Sequence, residues 1–474
     1  MKICCVLEGS YPYIHGGVST WMHQLITNLP EHEFVLWVIG DKAERRGKFV
    51  YELPPNVTGV TEVFLDDALR LRDTGILHHR FAQQERAALE ELIRCGDPDW
   101  ELIFRMYQKE RINPISFLKS RAFLQLLTGI CKSDYPYCAF SDTFHTMRSM
   151  LLPVLYVLTS PIPEADVYHS ICTGYGGLLA AMGASMTGKT LLLTEHGIYS
   201  REREEEIIRA QWVAPAFKQR WIQFFYMLSR AIYHRADLVS CLFHSAMGIQ
   251  CSIGCRPEQC RVIVNGVDFK RYAAVPPKED NGMIDIGAAV RMAPIKDIKT
   301  MLYAFYELHQ RVPNTRLYVL GGVDDEDYAR ECHELVDMLG LDSVLFPGRV
   351  NMVEYMQKFD FTILTSISEG QPLTILESFA AARPCVCTNV GCCMELIEGA
   401  PGDELGAAGY CVPPMNRTAL ADAMEKMCRS RKDMLRMGRI GQKRVERYYQ
   451  QPQMLDNYRR FYREGVQAHG GHRL

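Results

Sequence analysis

The stretch from Phe361 to Ala380 constrains the fold of this chain most strongly. Phe361-Thr-Ile-Leu364 shows no polar alternation, which is typical of a strand buried on both faces. A short loop of serine, glutamate and glycine follows. Pro372 then suits the first turn of a helix, where the amide proton that proline lacks would have no partner. A strand, a loop and a helix in this order indicate a parallel α/β sheet, with the loop at its carboxyl edge.

This loop carries groups suited to an anion and to hydroxyls. Backbone amides around Gly370 to Leu373 would face an anion at the helix N-terminus. Glu369 lies before the helix and Glu377 a little over one turn inside it, so Glu377 could accept hydrogen bonds from hydroxyls attached to that anion. Two glutamates that simply face water near a helix start are the alternative. The order of the elements favours a ligand with phosphate beside polyols, which is a nucleotide sugar.

Length and composition exclude several classes of protein. A chain of 474 residues is too long for one core and predicts two domains. A hydrophobic content of 47% and a charged content of 23% are typical of a globular protein and argue against disorder and against an integral membrane protein. The formal net charge of −3 argues against nucleic acid as the main partner.

The apolar segments are too short for targeting or for spanning a bilayer. The N-terminus turns polar at Glu8, too early for the apolar core of a signal peptide. The apolar stretch from Met150 to Leu158 falls far short of the ~20 residues that a membrane-spanning helix needs. We therefore expect a cytoplasmic protein without a transmembrane segment.

The cysteines predict buried thiols rather than a metal site. The chain has 17 cysteines, scattered among apolar neighbours. Cys251, Cys255 and Cys260 lie at loose spacing, whereas a zinc site usually shows tighter pairs and a second cluster. In a reducing compartment such residues serve as small apolar side chains.

The first 200 residues predict a second parallel sheet. Strands over 2–7 and 34–39 enclose an amphipathic helix over 18–29, and Gly16-Gly17 lies at the carboxyl end of the first strand. Gly17 there would let the backbone approach a ligand without a Cβ; a tight turn with no ligand is the alternative. Residues from about 66 to 160 are mostly helical in pattern and predict an insertion.

His196 follows the next predicted strands. These cover 166–171 and 190–194, and the second ends at Glu195-His196. A histidine hydrogen-bonded in the core is the alternative to a functional one. The aromatic and basic residues of 217–235 fit either a membrane-facing helix or, more commonly, a core helix with a solvated edge.

The predicted domain boundary follows Asn265-Gly-Val-Asp268, a turn sequence. The proline-rich and charged residues 273–282 fit a linker. The strand over 284–290 then leads to Arg291 and Lys296, two cations that would counter the charge of a diphosphate. A pair of unrelated surface cations is the alternative.

Glu369 and Glu377, followed by Ala380, Pro384 and Gly391, resemble the signature of the GT4 family of retaining glycosyltransferases. The resemblance implies an α/β protein of the GT-B fold, in which two Rossmann-like domains face a central cleft, with the helical insertion in the first. The implied domains are an acceptor-side domain at 1–275 plus 447–474, the last part a returning helix, and a donor-binding domain at 282–446.

Two further motifs resemble the PelF-type exopolysaccharide glycosyltransferases of the same family. They are Leu7-Glu-Gly-Ser-Tyr-Pro-Tyr-Ile-His-Gly-Gly-Val-Ser-Thr-Trp21 and Leu193-Thr-Glu-His-Gly-Ile-Tyr-Ser-Arg-Glu-Arg203. This resemblance covers essentially the whole chain. Ala382, at a position where the family usually carries glycine, is one of several departures.

The resemblance implies a role for each candidate residue. Arg291 and Lys296 would bind the donor diphosphate and stabilise it as it leaves. Glu369 would orient the sugar hydroxyls, and His196 would reach the transferred sugar or its acceptor. The remaining residues are implied in donor binding: Gly17, Asn265, Val350 (through its backbone, to the base), Gly370, Gln371, Pro372, Leu373 and Glu377 (to the ribose).

The implied activity is metal-independent transfer from a UDP-sugar, with UDP-glucose as the first expectation, into a Pel-like extracellular polysaccharide. No cofactor is expected, since the Asp-x-Asp at Asp97-Pro-Asp99 falls in the insertion rather than at a plausible donor site. The implied partners are the UDP-sugar, a saccharide acceptor and an inner-membrane polysaccharide synthase complex. A nucleotide-sugar epimerase and a non-catalytic UDP-sugar-binding subunit of such a complex are the rival interpretations.

Overall fold

The computed structural model describes residues 1–75 and 79–471. The chain divides into two compact units. The first comprises Met1–Cys241, Met247–Arg261 and Arg459–Leu474, and the second comprises Leu242–Ala246 and Val262–Tyr458. The first unit ends at Arg261, before the linker predicted over 273–282. The chain returns to the first unit at Arg459, whereas the predicted return was at 447.

The first unit is built on a seven-stranded sheet of order β3-β2-β1-β4-β5-β6-β7. The strand pairs from β3 to β6 are all parallel. The strands are β1 Lys2–Glu8, β2 Glu33–Gly40, β3 Val57–Phe64, β4 Val167–Ser170, β5 Thr190–Glu195, β6 Leu238–Cys241 and β7 Cys260–Val262.

Helices cover both faces of this sheet, as the fully buried strands β4 and β5 require. They are α1 Gly17–Thr27, α2 Gln83–Arg94, α3 Trp100–Gln108, α4 Pro114–Leu118, α5 Arg121–Asp134, α6 Phe140–Val157, α7 Tyr175–Thr187, α8 Tyr199–Arg209, α9 Pro215–Tyr233 and α10 His244–Ile253. The helices α2–α6 and a 3₁₀ helix at Leu65–Arg70 occupy the predicted insertion between β3 and β4.

The aromatic helix α9 belongs to the core. Its residues Phe217, Trp221, Phe224 and Phe225 are all buried. Arg220, also buried, forms an ion pair with Asp134 at 2.7 Å, so even the basic side of the helix packs inside the unit. The core interpretation of this segment is confirmed, and the membrane-facing alternative is wrong.

The second unit is built on a six-stranded sheet of order β10-β9-β8-β11-β12-β13. Its strand pairs are all parallel. The strands are β8 Ile284–Ala289, β9 Thr315–Leu320, β10 Val344–Gly348, β11 Phe361–Leu364, β12 Cys385–Thr388 and β13 Gly409–Val412. The order reverses between β8 and β11, which is the topological switch point of a doubly wound sheet.

Nine helices complete the part of the chain that the structure describes. They are α11 Phe269–Ala273, α12 Ile298–Arg311, α13 Glu326–Leu339, α14 Met352–Met356, α15 Leu373–Ala380, α16 Cys393–Glu398, α17 Arg417–Arg429, α18 Arg431–Tyr448 and α19 Gln451–Gly471. The returning helix predicted within 447–474 corresponds to α19, which begins at Gln451. Pro372 is the N-cap residue of α15 and lies just outside the first turn where we predicted it.

Within residues 1–75 and 79–471, the structure contains no helix that combines the length and the apolar character needed to cross a membrane.

Ala382 ends α15 in a strained backbone conformation. Its φ of 58° is in the left-handed region, which costs a residue with a Cβ roughly 1–2 kcal/mol. The Ala382 amide donates to the Phe379 carbonyl oxygen at 2.8 Å, which holds the turn in this shape. A glycine, which the family usually carries here, would adopt it without strain.

We expect Ala382→Gly to raise the free energy of unfolding of the second unit by about 0.5–1 kcal/mol, because relief of strain exceeds the added entropy of the unfolded chain. Urea unfolding followed by far-ultraviolet circular dichroism measures this change. All five tryptophans lie in the first unit, so their fluorescence serves as an internal reference.

The control is Ala381→Gly, at an ordinary φ of −83°. This variant should lower stability by about 1–2 kcal/mol, because glycine there adds unfolded-state freedom and also removes a buried methyl group. If both variants destabilise the protein equally, the strain at Ala382 is refuted.

Candidate active site

The predicted donor residues lie at the switch point of the second sheet. The loop after β8 carries Arg291 and Lys296, and the loop after β11 carries Glu369. Because β8 and β11 are parallel neighbours, both loops leave the same edge of the sheet side by side. This edge is where open α/β sheets bind ligands.

Lys296 and Glu369 form a close ion pair across this point. The Lys296 Nζ atom is 2.5 Å from Oε1 of Glu369. The Ser366 hydroxyl donates to the same oxygen, also at 2.5 Å. The side chains of Lys296 and Glu369 are 16% and 13% exposed, so solvent reaches the pair but screens it only in part.

Backbone contacts hold the two loops together. The Thr365 hydroxyl donates to the Lys296 carbonyl oxygen at 2.9 Å. The Ile367 amide donates to the Ile295 carbonyl oxygen at 2.9 Å. These bonds fix the chain on both sides of Lys296, so the lysine and the glutamate meet in a preorganised arrangement.

Gly391 is required where the loop of Glu369 packs against the loop after β12. Its φ is 54°, and a Cβ there would lie 2.2 Å from the Glu369 carbonyl oxygen. The next amide, of Cys392, donates to the Gly370 carbonyl oxygen at 3.0 Å. Gly391 belongs to the motif that carried the family resemblance, and its role is to let these two loops touch.

Arg291 does not join the ion pair of Lys296 and Glu369. Its guanidinium instead forms an ion pair with Asp324, and its side chain is 57% exposed. Asp324 lies after β9, the strand on the other side of β8. The structure therefore places both predicted cations at the same edge of the sheet but gives them different carboxylate partners.

Glu377 lies inside α15 beside α11. Burial raises the pKa of its carboxyl group, while a hydrogen bond from the Tyr272 hydroxyl and the charge of Arg271 oppose that rise. Sequence reasoning predicted Glu377 but neither neighbour. Both neighbours lie in α11, far from Glu377 in the sequence, so no local pattern pointed to them.

Asn265 and Gln371 meet in the second unit. The backbone N–H of Asn265 donates to Oε1 of Gln371 at 2.7 Å. Oδ1 of Asn265 is buried and has no hydrogen-bond partner among the described residues. An orphaned acceptor beside the start of α15 is available to a ligand hydroxyl or amide. Val350, the last predicted donor residue, follows β10 at the same edge of the sheet.

In the first unit, His196 follows β5. Burial lowers the pKa of His196 to about 4, so the imidazole is neutral at pH 7. Its Nε2 atom is buried without a hydrogen-bond partner in the described structure. The Trp21 ring packs edge-on against it, with centroids 4.4 Å apart. The Nε2 nitrogen is free to bond to a ligand, and the role predicted for His196 stays a prediction.

Glu195 is buried directly before His196, and we did not predict a role for it. Its Oε2 accepts hydrogen bonds from the Tyr233 hydroxyl and from Nε2 of Gln250, the latter at 2.9 Å. Its Oε1 accepts from the Tyr199 amide at 3.4 Å. Burial outweighs these donors and raises the pKa of Glu195 to about 7. The residue ties β5 to α8, α9 and α10.

Glu8 occupies the corresponding position at the end of β1. Its Oε2 accepts from the Gly176 amide at 2.9 Å, at the start of α7, and its Oε1 accepts from the Tyr199 hydroxyl at 2.8 Å. A glutamate that ends an otherwise apolar strand was the sequence signal for both Glu8 and Glu195. Gly17 lies exposed at the start of α1, and a Cβ there would meet no atom within 4 Å.

One group in the described part of the chain has the spacing of a metal site. Ligand atoms of His79, Glu85 and Glu110 lie within 4.8 Å of one another. The Glu85 carboxylate already accepts from the Ala82 amide at 2.8 Å as a helix cap of α2, and it contacts His79 at 3.1 Å. The capping role accounts for this cluster, which lies in the helical insertion.

Two family models match the chain. The model described as "Domain of unknown function (DUF3492)" matches residues 1–258. The model described as "Glycosyl transferases group 1" matches residues 284–430, the part that contains Arg291, Lys296, Glu369 and Glu377.

Two relatives have low sequence identity to this chain. The MMP alpha-(1->4)-mannosyltransferase of Mycolicibacterium hassiacum is 24% identical over 310 residues, which cover 64% of this chain and 71% of the relative. The alpha-monoglucosyldiacylglycerol synthase of Streptococcus pneumoniae is 27% identical over 175 residues, which cover 34% of this chain and 39% of the relative.

HepE of Anabaena, solved in complex with UDP and glucose, has a similar structure. The TM-score is 0.59 at 16% sequence identity, over 98% of this chain and 99% of HepE. At this identity the likeness shows the fold, which is two Rossmann-like parallel-sheet units of the GT-B type.

The buried carboxyl of Glu195 gives a pH signature. Because its folded-state pKa is raised from 4.5 to about 7, it stabilises the fold below its unfolded pKa, and that stabilisation is lost as the pH rises through about 7. Glu195→Gln does not titrate. Between about pH 5.5 and about pH 8, the stability of the wild type relative to this variant should fall by about 2 kcal/mol.

Urea unfolding followed by tryptophan fluorescence measures this in the first unit alone. Glu205→Gln, at an exposed position of α8, is the control and should leave the pH profile of the wild type unchanged. Parallel profiles for the wild type and Glu195→Gln would refute the raised pKa.

Proposed function

We propose that this chain transfers glucose from UDP-glucose to a saccharide acceptor, with retention at the anomeric carbon. The chain belongs to the DUF3492 family and is a glycosyltransferase of the glycosyl transferases group 1 (GT4) family. The product would be an extracellular polysaccharide of the Pel type. Two features of the sequence support this product: the opening motif at 7–21 and the motif at 193–203.

The ion pair of Lys296 and Glu369 is the observation that carries the proposal. The diphosphate that leaves during transfer bears two to three negative charges, so its electrostatic stabilisation is the largest catalytic requirement. Lys296 is held at the switch point with its charge directed at an acceptor oxygen 2.5 Å away. A bound diphosphate would compete for that ammonium group, and Glu369, oriented by Ser366, would then accept hydrogen bonds from the sugar hydroxyls.

Other groups at the same edge complete the proposed donor site. Arg291 can exchange its exposed partner Asp324 for a phosphate, to which its planar fork is well matched. The backbone amides of Gly370, Gln371 and Leu373, around the Pro372 cap, would add hydrogen bonds at the start of α15. These charges serve the role that a divalent cation plays in metal-dependent transferases, so we propose a metal-independent reaction with no cofactor.

The first unit would hold the acceptor. His196 is neutral, and its unpartnered Nε2 can donate to or accept from a sugar hydroxyl. Glu195 and the half-buried Glu8 fix the starts of α8 and α7 through their hydrogen bonds. The exposed backbone at Gly17 leaves room for a sugar to approach.

UDP-glucose is the proposed donor because of the resemblance to PelF-type enzymes. HepE, which shares the fold, was solved with UDP-glucose as well as with UDP and glucose, and this supports the choice. We further propose that the protein works in the cytoplasm and delivers its product to an inner-membrane polysaccharide synthase complex.

The decisive experiment separates transfer from the two rival reactions. The protein is incubated with UDP-glucose, with and without an oligosaccharide acceptor, and the nucleotides are separated by chromatography. Acceptor-dependent release of UDP with an elongated saccharide supports transfer. A new UDP-sugar formed without acceptor would indicate an epimerase, and binding without UDP release under any condition would indicate a binding subunit.

Lys296→Ala should lower the turnover number by about 10²–10³, the range found when a charge-stabilising donor is removed from an active site. The measurement is UDP release at saturating donor. Lys299→Ala is the matched control, since Lys299 forms its ion pair with Glu331 on α13 and should have no effect on turnover. Near-normal turnover of Lys296→Ala would refute the proposed role.

Glu377→Gln should weaken donor binding about 10–100-fold with a smaller effect on turnover, because a hydrogen bond to a charged acceptor contributes about 1.5–3 kcal/mol. Calorimetric titration with UDP measures the dissociation constant. Glu398→Gln, at an exposed position of α16, is the control. An unchanged dissociation constant for Glu377→Gln would contradict the assignment of Glu377 to the ribose.

A further inference from the structure

Three cysteine thiols of the first unit lie against one another. Cys251 is in α10, Cys255 follows that helix, and Cys260 begins β7. Sγ of Cys255 is 3.3 Å from Sγ of Cys260, and Sγ of Cys251 is 3.9 Å from it. The sequence predicted buried thiols that serve as small apolar side chains, and Cys255 and Cys260 are buried as predicted. The turn between α10 and β7 also brings the three thiols together, which the sequence did not predict.

The surroundings hold this cluster in a defined arrangement. Cys255 and Cys260 are buried, at 3% and 6% exposure, while Cys251 is half-buried and opens the cluster to solvent. Nε2 of Gln259 donates to Sγ of Cys255 at 3.3 Å and to the Tyr233 carbonyl oxygen at 2.7 Å. The loop is thereby anchored to α9, with the sulfur atoms of Cys255 and Cys260 in contact at 3.3 Å.

The thiols differ in their acidity. The hydrogen bond from the Cys255 thiol lowers the pKa of Cys260 to about 7, and a second one from Cys251 and the charge of Arg261 act in the same direction against burial. The pKa of Cys251 and of Cys255 is raised instead. Cys260 is therefore the thiol of the three that ionises most readily, and a thiolate beside a thiol is the combination that disulfide formation uses.

We propose that Cys255 and Cys260 form a site of reversible oxidative modification that reacts with a hydroperoxide and closes to an intramolecular disulfide. The Cys260 thiolate attacks hydrogen peroxide, whose O–O bond breaks, and the products are a Cys260 sulfenic acid and hydroxide, which takes a proton from solvent to become water. The Cys255 thiol then displaces a second water as the S–S bond forms. The two sulfur atoms lose two electrons in total, which reduce one hydrogen peroxide to two waters. The Cys251 thiol, next to Cys260, can then attack the disulfide at Cys260 by thiol–disulfide exchange.

The site lies on an element that supports the candidate active site. Gln250, adjacent to Cys251 in α10, donates to the buried Glu195 carboxylate at 2.9 Å. Oxidation of this cluster therefore occurs next to the hydrogen-bond network that precedes His196. The modification itself is independent of the proposed reaction and is tested without any measurement of glycosyl transfer.

The test uses the full-length protein, reduced and then treated with a limiting amount of hydrogen peroxide. The remaining thiols are alkylated under denaturing conditions, and the chain is cleaved after glutamate. Glu258 lies between Cys255 and Cys260, so cleavage there places the two residues on separate peptides. We expect these two peptides to be recovered linked, with Cys251 alkylated on the peptide that it shares with Cys255, and to separate when a reductant is added. Recovery of Cys255 and Cys260 as separately alkylated peptides would overturn the proposal.

Two variants and a control test which cysteines form the linkage. In Cys255→Ser, the same two peptides should remain linked, now through Cys251, which lies on the peptide of residue 255 and whose sulfur atom is the next closest to Cys260. In Cys260→Ser, the linkage should be lost completely. Cys428→Ser is the control: the Cys428 thiol is half-buried in the second unit, and burial raises its pKa to about 12, so the Cys255–Cys260 linkage should persist.

Tryptophan fluorescence establishes that each variant keeps the fold of the first unit. The wild-type experiment stands by itself if a variant does not fold. A linkage that survives in Cys260→Ser, or one that pairs Cys255 with Cys251 in the wild type, would overturn the assignment of Cys260 as the reacting thiolate.

Discussion

Parallel strand pairing is the constraint on which the arrangement of this protein depends. In a parallel sheet every strand ends at the same edge, and each crossover starts from that edge as a loop. In the second unit, β8 and β11 are neighbours although 71 residues separate Ala289 from Phe361. Lys296 and Glu369 can meet only because of this pairing, and their ion pair places opposite charges at the switch point of the sheet.

The same constraint acts on the first unit with different residues. Glu8 ends β1 and Glu195 ends β5, and both carboxylates turn into the unit to accept hydrogen bonds from the starts of neighbouring helices. Buried carboxylates are stable only when donors surround them. Each glutamate therefore fixes several loops at once, and His196 remains next to them with one nitrogen unsatisfied. A polar network of this kind gives a site its rigidity.

The structure also separates residues that share a motif. Arg291 and Lys296 are five positions apart and were predicted to act together, yet Arg291 turns to Asp324 while Lys296 turns to Glu369. Local spacing cannot distinguish these outcomes, because the partner of each cation comes from a different strand. At Ala382, by contrast, the local sequence was informative. The strained backbone is a local property, and the departure from glycine at this position pointed to it directly.

The sequence by itself determined the class of fold and the identity of the principal candidates. Apolar strands without polar alternation, alternating with helices, require parallel sheets covered on both faces, because such strands have no face for water. The glutamates, the cations and the glycine of the motif were recognisable because their positions relative to strand ends are local.

Only the tertiary structure decided the partners: Ser366 for Glu369, Tyr272 for Glu377, Gln250 for Glu195, and Cys255 for Cys260. Hydrogen bonds, ion pairs and the burial that shifts a pKa depend on distances between side chains. Those distances follow from how separate segments pack, which no local pattern encodes.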